Sequence, residues 1–120
     1  MSEDAFTIGH EDEFERSGRW LLARRSLGVR SFGVNLVEIE PGGRIPEHDE
    51  TAREQEEVYI VGSGTAVASV AGVEYPAPAG TSVRLDPEPL RTIANAGDEP
   101  VKLLMVSAPR SSGYEPMDWA

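Results

Sequence analysis

Residues 41–64 read PGGRIPEHDETAREQEEVYIVGSG, from Pro41 to Gly64. Pro41-Gly42-Gly43 is a strong turn signal, Arg44–His48 reads as a short strand, and Asp49–Glu56 reads as a polar loop. Glu57-Val58-Tyr59-Ile60-Val61 then reads as a strand rich in β-branched and aromatic residues, turned by Gly62-Ser63-Gly64. The stretch concentrates chemistry as well. His48 is one of only two histidines in the chain, and Glu50 and Glu57 lie close to it. One imidazole and two carboxylates make a ligand set for a hard metal ion, or an acid–base set. Alternate residues of a strand share a face. His48 and Glu50 therefore point the same way if residues 44–50 stay extended, and Glu57, Tyr59 and Val61 share one wall of a cavity that is polar at one end.

The same punctuation continues on both sides. Residues 20–28 (WLLARRSLG) and 31–39 (SFGVNLVEI) read as two strands around a turn near Ser26–Gly28. Thr65–Val70 and Val73–Tyr75 form a hairpin about Ala71-Gly72. Residues 76–80 (PAPAG) read as a break, Ser82–Leu85 as a strand, Asp86–Pro89 as a second break and Leu90–Ala94 as a strand. After the turn at Asn95–Pro100, Val101–Ala108 is the last long strand. About nine or ten short strands with frequent turns are the signature of an all-β sandwich, barrel or jelly roll. On 31–39, Gly33, Asn35, Val37 and Ile39 face inward if Glu38 faces out, which makes Asn35 either a cavity residue or a half-exposed amide. Val34, Leu36, Val58 and Ile60 occupy the opposite face yet are apolar. Strands apolar on both faces are covered on both sides, and a second subunit is the expected cover.

The chain has 120 residues, enough for one domain with a hydrophobic core. An acidic arm over 1–18, a barrel domain over 19–110 and a tail over 111–120 are expected, with 1–5 frayed and at most a helical turn near Asp12–Arg16. A formal net charge of −10 disfavours nucleic acid and anionic lipid as partners. No apolar run approaches membrane-spanning length. The absence of cysteine removes thiolate sites and disulfides, and it suits a cytoplasmic location, as does an acidic start without signal-peptide character. His10 reads as a surface histidine, Glu54 and Glu56 as a solvated loop, and Trp20 as core. Tyr114 and Trp119 read as packing the tail onto the barrel or across a dimer interface.

Gly42, His48, Glu57 and Gly64 resemble the first motif of the cupin superfamily: Gly, five residues, His, one residue, His, a short loop, Glu, six residues, Gly. Glu50 stands at the second His, and the loop before Glu57 is longer. Gly72, Pro78, Gly80 and Asn95 resemble the second motif, whose His position falls on Arg91. The resemblance covers residues 31–108. It implies a double-stranded β-helix, or jelly-roll barrel, of two antiparallel sheets, and a homodimer. In that family a metal is held at the positions of His48, Glu50, Glu57 and Arg91. A guanidinium offers no lone pair and repels a cation. The resemblance therefore leaves a three-ligand site of His48, Glu50 and Glu57 for one divalent ion (Mn, Fe, Ni or Zn), or an Arg91–carboxylate pair in the metal's place.

Three functions follow as expectations. The leading one is a small-molecule binder that holds a small polar or anionic ligand among Asn35, His48, Glu50, Glu57 and Tyr59, with Arg91 as an anion clamp. The second is an enzyme of a type the resemblance implies, a dioxygenase, an isomerase or epimerase, a decarboxylase or a lyase. It would use the metal, or His48 as a base oriented by Glu57. The third is a structural or regulatory oligomer with a filled barrel. Whether the chain is an enzyme at all is left open by the residues.

Overall fold

A computed structural model describes residues 5–120; the frayed start expected over 1–5 lies almost wholly outside them. The chain forms β1 (Arg16–Ser17), β2 (Trp20–Leu21), α1 (Ala23–Leu27), β3 (Gly33–Ile39), β4 (Gln55–Ser63), β5 (Thr65–Val70), β6 (Val73–Pro78), β7 (Ser82–Leu85), β8 (Arg91–Asn95) and β9 (Val101–Pro109). Two antiparallel sheets result. The larger has the order β1-β2-β3-β9-β4-β7 and the smaller β6-β5-β8. This is the all-β jelly roll that the turn spacing predicts, with β9 inserted between β3 and β4.

Strand pairing sorts the side chains into rows. Val37, Leu103 and Val61 lie side by side across β3, β9 and β4, and all three are fully buried. Ile39 and Val101 continue this layer. From the smaller sheet, Ala66, Ala68 and Ile93 face them, and Ile45 closes the cluster. The alanines matter because small inward side chains let two sheets approach closely. Gly64 makes the β4–β5 turn with φ +85, and a Cβ there would meet the Pro100 carbonyl oxygen at 2.6 Å. Both its conformation and its neighbour exclude a side chain.

Several expectations need correction. Residues 20–28 are not one strand and a turn. β2 ends at Leu21, and Ala23–Leu27 is a short helix. Ala, Arg and Leu favour helix, and Gly28, at φ 76, closes the turn by donating its N–H to the carbonyls of Arg24 and Arg25. Residues 44–48 make only two isolated bridges, Arg44 with Ala94 and His48 with Arg91, because Pro46 between them has no N–H for a ladder. Residues 76–80 do not break the sheet until Ala79. β6 runs through Pro76 and Pro78 because it is an edge strand, where a missing N–H costs nothing. The helical turn expected near Asp12–Arg16 is a 3-10 turn at Glu11–Glu13, capped by His10. Trp20 is half-buried against the core. Among the described residues no helix is long and apolar enough to cross a membrane.

Candidate functional site

His48, Glu50 and Glu57 come from two chain segments joined by a short excursion. His48 exchanges both backbone hydrogen bonds with Arg91 of β8, at 3.1 and 2.9 Å. Glu50 donates its N–H to the Pro87 carbonyl at 2.9 Å, and its own carbonyl accepts from Gln55 N at 3.3 Å. Residues 51–54 form a turn between those two anchors. Asp49 starts it by accepting from the backbone N–H of Thr51 at 3.1 Å and from its hydroxyl at 2.8 Å, which holds the Asp49 carboxyl below its usual range. The long loop therefore leaves the site and returns to it, and the segments carrying the ligands stay adjacent. β4 begins at Gln55, so Gln55 and Glu57 share the inner face, while Glu56 is exposed and pairs with Arg84.

One donor atom from each of His48, Glu50 and Glu57 lies within 4.8 Å of the others. His48 Nε2 is 3.1 Å from Glu50 Oε2 and 3.8 Å from Glu57 Oε1. On the far side of the ring, Nδ1 lies 3.0 Å from the Pro46 carbonyl oxygen. That oxygen only accepts, so Nδ1 carries the hydrogen. Nε2 then faces two carboxylates, and either carries a proton they share or offers a lone pair to a cation. Pro46 therefore has two consequences: its missing N–H interrupts a strand, and its carbonyl orients the imidazole. The orienting role expected of Glu57 falls to Pro46, and Glu50 is the nearer carboxylate.

Glu57 is the buried member, 6% exposed. Burial raises its carboxyl above the usual range. The Tyr59 hydroxyl, donating to Glu57 Oε1 at 2.7 Å, works against that rise, Glu50's charge adds to it, and Arg91's charge opposes it. Burial, together with the bond to Glu57, also raises the Tyr59 phenol, so Tyr59 acts here as a donor.

Arg91 is completely buried. Its Nε faces Glu57 Oε1 at 3.3 Å and makes no hydrogen bond. One terminal nitrogen donates to the carbonyls of Pro87 (3.2 Å) and Pro89 (2.6 Å), the other to that of Asp86 (2.8 Å). The anion clamp expected of Arg91 would require breaking these bonds. As it stands, Arg91 ties down the β7–β8 loop and places a positive charge beside Glu57.

The structure thus brings together His48, Glu50, Glu57, Tyr59 and Arg91. Asn35 stands apart, two strands away from Tyr59 in the row Asn35–Met105–Tyr59, roughly 10 Å across the sheet. The next row is Gly33–Ser107–Glu57. A Cβ on Gly33 would lie 2.5 Å from Ser107 Oγ, which shows the hydroxyl aimed across this face. Ser107 and Met105 line the same wall as Glu57, and sequence reasoning missed them. The alternation of β9 is visible in the chain, but its register against Glu57 is a property of the assembled sheet. Asn95, at the end of the second motif, is structural. Its amide donates to the carbonyls of Ile39 and Glu99 and accepts from Gly97 N.

A one-nitrogen, two-oxygen set with a pre-oriented imidazole fits a divalent ion held by three protein ligands, with positions left for a ligand. Arg91 fills the fourth side with charge and supplies no donor.

Comparisons with known proteins agree with this fold. A family model described as a cupin domain matches residues 35–107. A cupin protein from Bacteroides fragilis superposes with a TM-score of 0.79 at 21% identity, covering 97% of this chain and 93% of that one. A sugar phosphate isomerase of the cupin superfamily from Silicibacter pomeroyi gives 0.67 at 27% identity, over 74% and 57% of the two chains. A predicted oxalate decarboxylase from Thermotoga maritima gives 0.60 at 22% identity, over 64% and 65%. No match was found among curated proteins. The two motifs, the sheet order and the matched span agree, and the chain belongs to the cupin domain family.

Proposed function

We propose that this chain binds a small polar ligand at the open end of its barrel, beside a divalent cation held by His48, Glu50 and Glu57. The observation that carries the reading is the approach of three donor atoms to within 4.8 Å, with His48 Nδ1 anchored so that Nε2 faces inward. The likeness to a sugar phosphate isomerase supports an oxygen-rich, anionic ligand class without naming one. A bound divalent ion, of the Mn, Fe, Ni or Zn kind, would supply Lewis-acid polarisation of a ligand oxygen.

The rest is the work of the chain's own residues. Tyr59 holds one Glu57 oxygen in place at 2.7 Å. Arg91 offsets part of the negative charge that two carboxylates bring to one spot. Ser107 and Asn35 present a hydroxyl and an amide on the same wall, and Met105 between them adds an apolar surface. The layer of Val37, Val61 and Leu103 closes the inner end, so a ligand enters and leaves on one side.

A metal-free reading draws on Arg91, whose charge already faces Glu57 at 3.3 Å. His48 would then share a proton with Glu50 and act on the ligand directly. Elemental analysis and calorimetric titration with Mn, Fe, Ni and Zn separate the two readings. Stoichiometric uptake in the wild type, lost in Glu57→Gln and His48→Ala, is the expected result. Failure of every ion to bind, in a folded protein, overturns the metal-holding site.

A further inference from the structure

A hollow of about 620 Å³ lies between the N-terminal arm and α1. That volume suits a small molecule. Residues 5–7 form one wall and residues 24–30 the other, so it shares no residue with the His48, Glu50 and Glu57 cluster.

The local sequence explains the shape. Residues 24–30 read RRSLGVR. α1 carries Arg24 and Arg25 and stops at Gly28, whose φ of 76 turns the chain. The N–H groups of Gly28 and Val29 both donate to the Arg24 carbonyl at 3.0 Å, and the Arg24 guanidinium donates to the Val29 carbonyl at 3.2 Å. This tight turn sets Arg30 on the same hollow as Arg24 and Arg25. The opposite wall is held from elsewhere. Glu11 of the arm pairs with Lys102 of β9 at 2.6 Å. Glu15 accepts from the Arg25 guanidinium at 2.9 Å, and its N–H donates to Ser26 Oγ at 3.0 Å. Where Gly9 passes the helix, a Cβ would lie 3.7 Å from Leu27. The arm is therefore laid against α1 by contacts outside the hollow.

Charge is sorted here against the trend of the chain. The protein carries 21 acidic residues and 11 basic ones, yet three arginines border this hollow and, among the described residues, no carboxylate does. Arg16, Arg19, Arg84, Lys102 and Arg110 each pair with a carboxylate elsewhere. Arg25 has Glu15. Arg24 and Arg30 have no acidic partner among the described residues. Two positive charges thus stand uncompensated around one space. A phosphate monoester carries close to two negative charges near neutral pH and matches them, whereas a single carboxylate does not. The forked donors of arginine also suit phosphate oxygens. Beside the charges the hollow is apolar. Leu27 and Val29 are half-buried on one wall, and Phe6 on the other is 68% exposed.

We propose that this hollow binds a small organic phosphate, independently of the site in the barrel. The phosphoryl group lies among Arg24, Arg25 and Arg30, and the apolar part of the ligand covers Phe6 and Leu27. Added salt weakens the binding, because the arginines are exposed.

Nuclear magnetic resonance titration of the full chain, freed of metal by a chelator, tests this with two probes, inorganic phosphate and phenyl phosphate, against sodium chloride at matched ionic strength. The expected result is saturable movement of the amide signals of residues 5–7 and 24–30, with phenyl phosphate bound about fivefold more tightly. Arg30→Gln should weaken both probes by about 10-fold, as loss of a hydrogen bond to a charged group does. Phe6→Ser should remove the advantage of phenyl phosphate and leave inorganic phosphate unchanged. Both side chains are exposed, and the spectrum of each variant reports its fold directly. Movement that never saturates, or that sodium chloride reproduces, overturns the proposal, as does undiminished binding by Arg30→Gln. Equal affinity for the two probes overturns the choice of an organic phosphate. Movement centred on His48 and Glu57 overturns the location, since the phosphate would then sit in the barrel.

Discussion

Replacement of Arg91 by Met should cost this domain about 3–5 kcal/mol, the range for breaking a buried ion pair from one side. The structure accounts for that figure in two parts. The guanidinium makes three hydrogen bonds to carbonyls of the β7–β8 loop, and it is the charge nearest Glu57. Methionine fills much of the volume but leaves the carbonyls of Asp86, Pro87 and Pro89 without this donor. It also leaves Glu57 beside Glu50 with no fixed positive charge. Each hydrogen bond from a charged donor is worth about 1.5–3 kcal/mol, and water at the half-exposed loop restores much of what the three carbonyls lose. The remainder is the uncompensated carboxylate. For a domain of this size the total lowers the melting temperature by roughly 10–20 °C. Urea denaturation of chelator-treated protein measures it, and a double-mutant cycle with Glu57→Gln divides it. With the Glu57 charge removed, Arg91→Met should cost about 1–3 kcal/mol less than it does alone. A loss below about 1 kcal/mol in Arg91→Met, or a cycle that closes additively, would refute the electrostatic half of the argument.

Two further predictions follow from the same geometry. Burial raises the Glu57 carboxyl above the usual carboxylate range, so the folded state binds its proton more tightly than the unfolded chain does. Relative to Glu57→Gln, metal-free wild type should therefore lose stability as pH rises from about 4.5 through the raised value, and chemical denaturation of both proteins across that window shows it; a flat difference curve would place Glu57 in a solvated setting. Gly64→Ala should cost at least about 2 kcal/mol, since φ +85 and a Cβ 2.6 Å from the Pro100 oxygen both oppose it, whereas Gly72→Ala at the hairpin turn, with φ +81 and open space, should cost less; equal melting temperatures for the two variants would contradict the steric part.

The fold was legible because turn residues and alternation are local. Gly62-Ser63-Gly64, Ala71-Gly72 and Asn95–Pro100 punctuate strands whose inward positions, such as Val37, Ile39, Tyr59 and Val61, are buried as their parity predicts. Residues 20–28 misled because a strand of two residues carries no alternation to read, and the helix after it depends on a glycine cap. Pro76 and Pro78 misled because tolerance of proline depends on whether a strand lies at an edge, which is a tertiary fact. At the site, the cluster of His48, Glu50 and Glu57 was visible as residue types at a spacing. What each group touches was not. Arg91 is bonded to carbonyls from a loop that the sequence marks only as a break, and Ser107 is brought beside Glu57 by strand register, across 50 positions of chain.

The excursion at 51–54 gives the molecule a point of attachment. Because Glu50 and Gln55 are hydrogen-bonded at its base, a segment spliced between Ala52 and Arg53 would hang outside the barrel while His48 and Glu57 kept their separation. The splice point is exposed on both sides, and it lies between the two anchors of the candidate site's loop, Glu50 and Gln55. A fluorophore or a second recognition module grafted there would sit beside the candidate site without displacing its residues. Natural lengthening of the same turn would add surface beside the site without altering His48, Glu50 or Glu57.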